Sequence, residues 1–176
     1  WEEQVFKTGD VSIRWWDTQA NTVDMLYGYE HGERLRSYAP TPVTPGSPTE
    51  RLLRTGQGGY FGTRAEQVAG GISGPREGTD WAHSVIAAPI RGMQGVLGII
   101  VMEDHDREHA YGDDDLALLT TIGASMGVAL EGAHLFDETQ RLLKETEARA
   151  AELATINSIQ QGIAAKLDFQ GVVELV

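Results

Sequence analysis

The chain has 176 residues and a mass of 19.2 kDa, which is enough for one domain with an appendage but too little for two ordinary domains. Its 14 Lys and Arg against 26 Asp and Glu give a formal net charge of -12. This charge argues against nucleic-acid binding, whose affinity comes mainly from basic side chains that neutralise phosphates. The sequence contains no cysteine, so disulfides, thiolate metal sites, thiol nucleophiles and thioether-linked pigments are excluded.

The hydropathy pattern contains no segment that we interpret as membrane-spanning. The longest apolar run, residues 96–102, is far shorter than the roughly 20 residues that a spanning helix needs. The first residues do not resemble a signal peptide, and the chain does not begin with Met. We therefore expect a cytoplasmic protein without membrane insertion, and a fragment of a longer chain.

The first third of the chain predicts a hairpin followed by an exposed connector. Residues 10–16 alternate between polar and apolar side chains, which is typical of a half-buried strand. After a turn at residues 17–21, apolar and aromatic side chains repeat at every second position through Tyr29, which predicts a second strand paired with the first. A short extended piece is expected through Tyr38. Residues 40–48 contain four prolines, which exclude a central strand or a helix interior and predict an exposed connector.

A short capped helix is predicted next. Ser47 and Glu50 have the spacing of a capping box, with Pro48 at the first helical position, so we expect a helix through about Leu53. The glycines of residues 56–59 would end it. The sequence then predicts, in order, a short strand at residues 60–62, one or two helical turns at 63–68 and a mobile Gly-rich loop at 69–78.

Two apolar runs form the centre of the predicted fold. Residues 84–90 and 96–102 are apolar with little polar alternation, which is typical of strands covered on both faces. Residues 91–95 have glycine near each end and predict the turn of a hairpin. A sheet covered on both faces needs two packing layers, and we expect one of them to hold a ligand.

The last third of the chain predicts a long helix. Asp113 is expected to cap it, with Asp114 and Asp115 in a first turn where the helix dipole favours negative charge. Apolar residues continue without a breaker to Leu167, and Asp168 is expected to begin a new helix. The spacings between apolar residues approximate a heptad repeat with one interruption, which favours pairing with another helix and a homodimer. The predicted contact residues are Leu135, Leu142, Leu153, Ile156, Ile163 and Leu167.

The sequence gives little indication of a catalytic site or a metal site. His83 and Ser84 are adjacent on a predicted strand, so they point to opposite faces and cannot act as a base and nucleophile pair. His105 and His109 lie four apart among acidic residues and would gather a divalent cation if the segment were helical; the alternative is a solvated acidic loop. Residues 56–61 lack the strand and helix that a dinucleotide fingerprint requires. We predict no catalytic residue and no metal ligand.

A pocket walled by aromatic side chains is the strongest functional prediction. Aromatic walls with a few polar groups and mobile loops are typical of small-molecule sites, and one cation could pair an anionic ligand. The alternative is that the rings simply fill the core. The candidate ligand-binding residues are Tyr27, Tyr29, Tyr60, Phe61, Arg64, Trp81 and His83.

These motifs, taken in order, resemble a GAF domain. The closest are residues 52–57 (LLRTGQ), the paired strands 84–90 and 96–102, and the helix start at 111–129, and the resemblance covers roughly residues 11–131. It implies an α+β fold with a six-stranded antiparallel sheet, terminal helices on one face, and loops and short helices over a pocket on the other. We expect residues 1–131 to form this domain without its opening helix, and residues 132–167 to form a signalling or coiled-coil helix.

Residues 153–176 resemble the helical opening that normally precedes the first strand of such a domain. Two explanations follow from their position at the end of the chain. The chain could run from inside one GAF domain into the next domain of a tandem array, with residues 168–176 beginning that next domain. Alternatively, the tail could dock on a sheet, in the same chain or swapped onto a partner.

The resemblance implies a non-catalytic sensory domain that binds a small molecule and relays a signal through its C-terminal helix to an output domain. The alternative is a structural dimerisation module with no ligand. The ligand stays unknown. A bilin linked through cysteine is excluded, and haem ligated by histidine has no support. Cyclic-nucleotide-binding members carry an Asn-Lys, Phe, Asp-Glu signature, whereas here Asn21 and Asn157 are the only asparagines and neither precedes Lys.

Overall fold

The fold is that of a computed structural model, which describes residues 10–36, 39–75 and 78–173, without the side chains of 164–173. The extended piece predicted at Tyr38 and the N-terminal segment 1–9, where the opening helix was predicted to be missing or truncated, lie outside the described residues. The chain divides into two compact units, Trp1–Glu131 and Gly132–Val176. The sheet and all the candidate ligand-binding residues belong to the first unit.

One antiparallel sheet forms the centre of the first unit. Its strands are β1 Val11–Asp17, β2 Thr22–Glu30, β3 Glu33–Arg34, β4 Thr41–Pro42, β5 Gly59–Phe61, β6 Ser84–Gly92 and β7 Gly95–Asp104. They run in the order β3-β2-β1-β7-β6-β5, with β4 paired to β2. Every pairing is antiparallel, so the predicted α+β fold with an antiparallel sheet is confirmed.

The predicted central hairpin is present as β6 and β7. Its register pairs Ser84 with Asp104 and Gly92 with Gly95, so the turn is only Met93 and Gln94, shorter than predicted. Both strands are buried along most of their length. Because neighbouring residues of a strand point to opposite faces, the two strands contribute side chains to two separate cores.

Two short helices follow the connector, and each ends two residues later than predicted. Helix α1 is Pro48–Thr55, and the Ser47 side chain accepts the backbone N–H of Glu50, as the capping box predicts. Gly56 ends this helix in the left-handed conformation with φ 66, which a residue without a Cβ adopts at no steric cost. Helix α2 is Arg64–Gly70, and its cap is the Thr63 side chain.

Helix α3 is Asp113–Val173, and the positions where it begins and ends correct two predictions. Asp113 is the first helical residue rather than the cap. Asp115, one turn into the helix, accepts the N–H of Gly112 at 2.9 Å, so it satisfies a donor that precedes the helix. The helical backbone continues past Leu167 and Asp168, so the new helix predicted to begin at Asp168 is wrong; Asp has no backbone feature that prevents it from continuing a helix.

The two faces of the sheet carry different cores. On one face Ile86, Ala88, Ile90, Ile100 and Met102 pack with Tyr111 and Leu119, and further apolar residues of α3 through Leu130 join them. The other face is formed by Val85, Ile99 and Val101 with Leu52 and Leu53 of α1. The predicted placement of the C-terminal helix on one face and of short helices on the other is confirmed.

By length and composition alone, the segment Asp113–Ile163 contains a stretch apolar enough to cross a membrane. A core helix meets the same criteria. In this stretch Leu119 is fully buried against the sheet, and Gly123 and Gly127 are also buried, whereas Leu118 and Val128 are exposed. Only 17% of the stretch is buried, so packing on the sheet accounts for part of its apolar residues.

Candidate functional site

A cavity of about 560 Å³ lies on the face of the sheet opposite α3. Its floor is formed by Val85 and Ala87 of β6 and by Ile99 and Val101 of β7, which alternate with the side chains that face α3. The connector, α1 and the loop that follows α2 form the remaining walls. The cavity thus lies in the layer where the sequence predicted a pocket.

Four of the seven candidate ligand-binding residues border this cavity, namely Tyr29, Tyr60, Phe61 and Trp81. Phe61 pairs with Val85 of the cavity floor, whereas Tyr29 and Tyr60 pair with residues of the core against α3, so their rings lie on the α3 side of the sheet. Tyr27, Arg64 and His83 are not among the residues that line it. The guanidinium of Arg34 lies 5.5 Å from the centre of the Tyr27 ring. Arg64 donates a hydrogen bond to the backbone oxygen of Trp81 at 2.8 Å, so this arginine positions a wall of the cavity instead of facing into it.

Gln67 fixes the same wall from inside and was missed in the sequence. Its side chain is buried, and Nε2 donates to the backbone oxygens of Ala82 at 3.1 Å and His83 at 3.3 Å. Its Oε1 accepts the indole N–H of Trp81 at 2.9 Å. A buried polar group is tolerated when such bonds satisfy it. Nothing in the local pattern distinguished Gln67 from a solvated helix residue, because its partners lie 14 to 16 positions away.

The polar groups of the cavity carry both signs of charge. Arg14 and Arg51 contribute guanidinium groups, and Asp80 and Glu103 contribute carboxylates. Arg51 also donates to the backbone oxygens of Gly46 at 2.7 Å and Gly70 at 2.8 Å, so it ties the connector to the end of α2. Aromatic walls with charged groups of both signs suit a small molecule that has an aromatic or apolar body and several polar substituents.

Tyr60 connects the cavity to α3. It borders the cavity, and its hydroxyl donates to Oδ1 of Asp113, the first residue of the helix, at 3.0 Å. This hydrogen bond and the negative charge of Asp113 raise the pKa of Tyr60 above its ordinary value of 10.0. The phenol therefore stays a neutral donor to the helix at physiological pH.

The two histidines that the sequence placed together are separate. The segment after β7 is a loop and not a helix, so the four-residue spacing does not bring His105 and His109 to one face. The N–H of His109 donates to the backbone oxygen of Gly62 at 2.7 Å. The side chain of His105 is buried beside Glu30 and His31. The cation site that this spacing suggested is wrong.

Five of the six residues predicted to form a dimer contact on α3 have described side chains, and these are between 43% and 60% exposed in the single chain. They are Leu135, Leu142, Leu153, Ile156 and Ile163. The side chain of Leu167 lies outside the described residues. Between them, Arg141 forms ion pairs with Glu138 and Glu145, and Arg149 pairs with Glu145. The second unit is therefore a helix with polar intrahelical pairs and apolar side chains exposed to solvent.

The family model of the GAF domain matches residues 11–131. A search of curated proteins found no match. Among solved structures, the GAF domain of an Acinetobacter phosphoenolpyruvate-protein phosphotransferase is similar, with a TM-score of 0.62, 12% identity, and coverage of 76% of this chain and 77% of that chain. A methyl-accepting chemotaxis protein, residues 122 to 287, has a TM-score of 0.64 at 12% identity, covering 77% and 85%.

The GAF domain of a two-component sensor histidine kinase from Bacillus halodurans has a TM-score of 0.55 at 15% identity, covering 77% of this chain and 90% of that chain. At these identities the similarity to solved structures establishes the fold alone. The family match spans well over half of the sequence, and this chain belongs to the GAF domain family. GAF domains are sensory and regulatory domains of signalling proteins and typically are not catalytic.

Proposed function

We propose that this chain is a non-catalytic sensor that binds a small molecule in the cavity and relays its binding through α3 to an output domain. The observation that carries the proposal is the position of Tyr60: its strand, β5, borders the cavity, and its ring lies on the α3 side, where the hydroxyl donates to the first residue of α3. A ligand that displaces β5 would change the hydrogen bond at the start of the helix.

The size and composition of the cavity support a bound ligand. Small-molecule sites typically occupy about 300–1,000 Å³, with apolar and aromatic walls and a few fixed polar groups. The cavity has about 560 Å³ and is lined by Phe61 and Trp81, and the hydrogen bonds of Gln67 and Arg64 hold Trp81 in place. A preformed wall lowers the entropy cost of binding.

A catalytic role is less well supported, because the best candidate nucleophile is engaged elsewhere. Ser84 is fully buried, and its hydroxyl donates to the backbone oxygen of Arg107 at 3.0 Å. A nucleophile needs a base within hydrogen-bond reach and access to substrate.

For the output, we propose that α3 pairs with α3 of a second copy in a parallel homodimer. The exposed apolar residues spaced along the second unit support this, since such side chains gain most when a partner helix covers them. A shift or rotation of paired helices could then bias an attached cyclase, kinase or phosphodiesterase. The same exposed residues favour the alternative, a structural dimerisation module that binds no ligand.

The ligand hypothesis is tested by a thermal-shift screen against nucleotides, haem and small metabolites. We expect saturable stabilisation by at least one compound, which Phe61→Leu weakens and Tyr27→Leu leaves unchanged, because Phe61 pairs with Val85 of the cavity floor and Tyr27 pairs with Ile13 on the α3 side. Both variants replace an aromatic strand residue, so the second is a control. Absence of any saturable hit, or a hit that tolerates both Phe61→Leu and Trp81→Ala, would favour the structural module.

The dimer hypothesis is tested by multi-angle light scattering. We expect the wild type to be a dimer and the double variant Leu142→Glu with Ile156→Glu to be a monomer, because carboxylates cannot be buried unpaired between helices. Thr155→Glu, at an exposed polar position next to Ile156, is the control and should remain dimeric. A dimer that survives the double variant contradicts pairing through α3.

A further inference from the structure

Five side chains from four separated segments meet at one end of the sheet, outside the helix-facing core. They are Asp10 just before β1, Glu30 at the end of β2, His31 in the β2–β3 turn, Asp80 in the loop before β6, and His105 just after β7. The sheet register causes this meeting. Strand β1 lies between β2 and β7, and Val11 pairs with both Tyr29 and Met102, so the ends of all three strands are adjacent.

Three of these side chains are arranged around a common point. Oε1 of Glu30 lies 3.6 Å from Nε2 of His105 and 3.7 Å from Nε2 of His31. One ligand atom from each residue lies within 4.8 Å of the other two. These separations exceed the about 2.7–3.2 Å of an N–H···O hydrogen bond. They are close to the about 3.3 Å between two ligand atoms of a tetrahedral metal bound at about 2.0–2.1 Å.

Buried atoms without partners point to the same position. The side chain of His105 is 8% exposed and that of Glu30 is 5% exposed. Within the part of the chain that the structure describes, neither ring nitrogen of His105 has a hydrogen-bond partner, and neither has Oε2 of Glu30. Buried polar atoms are normally satisfied, because leaving one unpaired forfeits the interactions that water gave it. A cation at the common point would supply the interaction that Nε2 of His105 lacks.

The surrounding hydrogen bonds hold these ligands in place. The backbone N–H of Asp80 donates to Oε1 of Glu30 at 2.9 Å, and the N–H of His31 donates to Oδ1 of Asp10 at 2.9 Å. Such outer partners orient the ligands of metal sites. The two aspartates also contact the histidines through their carboxylates. Oδ2 of Asp10 lies 3.6 Å from Nε2 of His105, and Oδ2 of Asp80 lies 3.2 Å from Nε2 of His31, within hydrogen-bond distance.

We propose that Glu30, His31 and His105 bind one divalent transition-metal ion of the zinc class, with Asp80, Asp10 or water completing the coordination. Two imidazoles and a carboxylate are ligands that zinc and its first-row neighbours prefer over Ca²⁺ or Mg²⁺. The carboxylates around the histidines also favour a cation electrostatically. The site is separate from the proposed ligand cavity, but Asp80 borders both. Metal binding would tie the cavity loop to the sheet.

The test uses the full chain without a polyhistidine tag, stripped of metal with a chelator and then titrated with Zn²⁺ and Co²⁺. We expect one ion per chain, a rise in melting temperature on binding, and visible Co²⁺ absorption of a four- or five-coordinate site. X-ray absorption of the zinc form should show two imidazole ligands. Mg²⁺ at the same concentration should neither bind nor compete.

The variants His31→Gln and His105→Gln should each weaken binding by at least about tenfold, the size of effect that removing even an outer-shell partner has. His109→Gln is the matched control, since His109 shares the left-handed backbone of His31, with φ 51 at both, but lies outside the cluster. Circular dichroism checks that the buried His105 variant folds, while the half-exposed His31 variant provides an independent reading. Binding that is absent in the wild type, or unchanged in both variants, would overturn the proposal.

Discussion

The two faces of the sheet are covered in different ways. On one face α3 packs directly on the strands, and Gly123 and Gly127 bring it so close that an added Cβ would collide with the backbone oxygens of Pro89 and Arg91. On the other face, short helices and loops leave a cavity of about 560 Å³. Ala88 belongs to the closed core and its neighbour Ala87 lines the cavity.

This difference indicates which layer of the domain can adjust its structure to a ligand and which layer cannot. The part of α3 that packs on the sheet has no free space around it, so we expect a displacement of its first turn to shift this packed part as one unit. The cavity face is built from short elements joined by glycine-rich loops, which can adjust to a ligand at lower cost. Among the described residues, the hydrogen bond from Tyr60 to Asp113 connects β5, which borders the cavity, to α3.

The largest expected effect comes from breaking the close approach of α3. Gly127→Ala should lower the free energy of unfolding by about 3 kcal/mol, because the new methyl group would overlap a carbonyl oxygen of β6 that cannot move independently. Gly132→Ala, on the same helix with nothing within 4 Å of the added Cβ, should instead raise it by up to about 1 kcal/mol. Urea denaturation measures both, and equal effects would contradict the close packing.

A second comparison uses the two adjacent alanines of β6. Ala88→Leu should cost about 2 kcal/mol, because the core against α3 is already full. Ala87→Leu should change the free energy of unfolding by less than about 0.5 kcal/mol, since the larger side chain enters the cavity, and should weaken any ligand found by screening. If both substitutions cost the same in thermal or chemical unfolding, the cavity does not offer the space that we describe.

A smaller effect is expected at Asp104, which holds the loop that leads from β7 to α3. Burial raises the pKa of Asp104, but hydrogen bonds from the Arg107 guanidinium and from the backbone N–H groups of Asp106 and Arg107 outweigh burial and hold this pKa below 3.8. The ionised carboxylate therefore stabilises the fold above the unfolded pKa, and this stabilisation is lost as pH falls through the lower folded pKa.

Asp104→Asn should cost about 1.5 kcal/mol at pH 7, because it removes a buried acceptor of charged hydrogen bonds. The difference from wild type should narrow when unfolding is measured at pH 3, below the unfolded pKa, because the unfolded chain then binds a proton at Asp104 more readily than the folded chain does. A difference that stays constant between pH 7 and pH 3 would show that the charge of Asp104 is not what stabilises the loop.

Features set by local chemistry could be read from the sequence. The capping box of Ser47 and Glu50 and the left-handed helix stop at Gly56 are both present, because their atoms lie within a few residues of one another. The hairpin of β6 and β7 followed from continuous apolar runs with a Gly-bounded turn. The long helix was predictable from its uninterrupted pattern, although its continuation past Asp168 was not.

The candidate sites depended on features that local patterns do not contain. Period-two alternation marked Tyr27 and Tyr29 equally as wall residues, but the register pairs them with Ile13 and Val11, which pack in the core against α3, so both rings lie on that side of the sheet. Arg64 was expected to face a ligand but donates to the backbone of Trp81, which lies 17 residues further along the chain.

The histidines show most clearly which features follow from the sequence alone and which depend on the tertiary structure. By itself the sequence determined the order of most elements, because this order follows from periodicity along the chain. Its motifs resemble the GAF family, and that resemblance implied the layer that holds the cavity. The sequence paired His105 with the nearby His109, whereas the tertiary structure pairs it with Glu30 and His31. That partnership is decided by the order and register of β2, β1 and β7, which bring together residues more than 70 positions apart, and only the folded sheet fixes it.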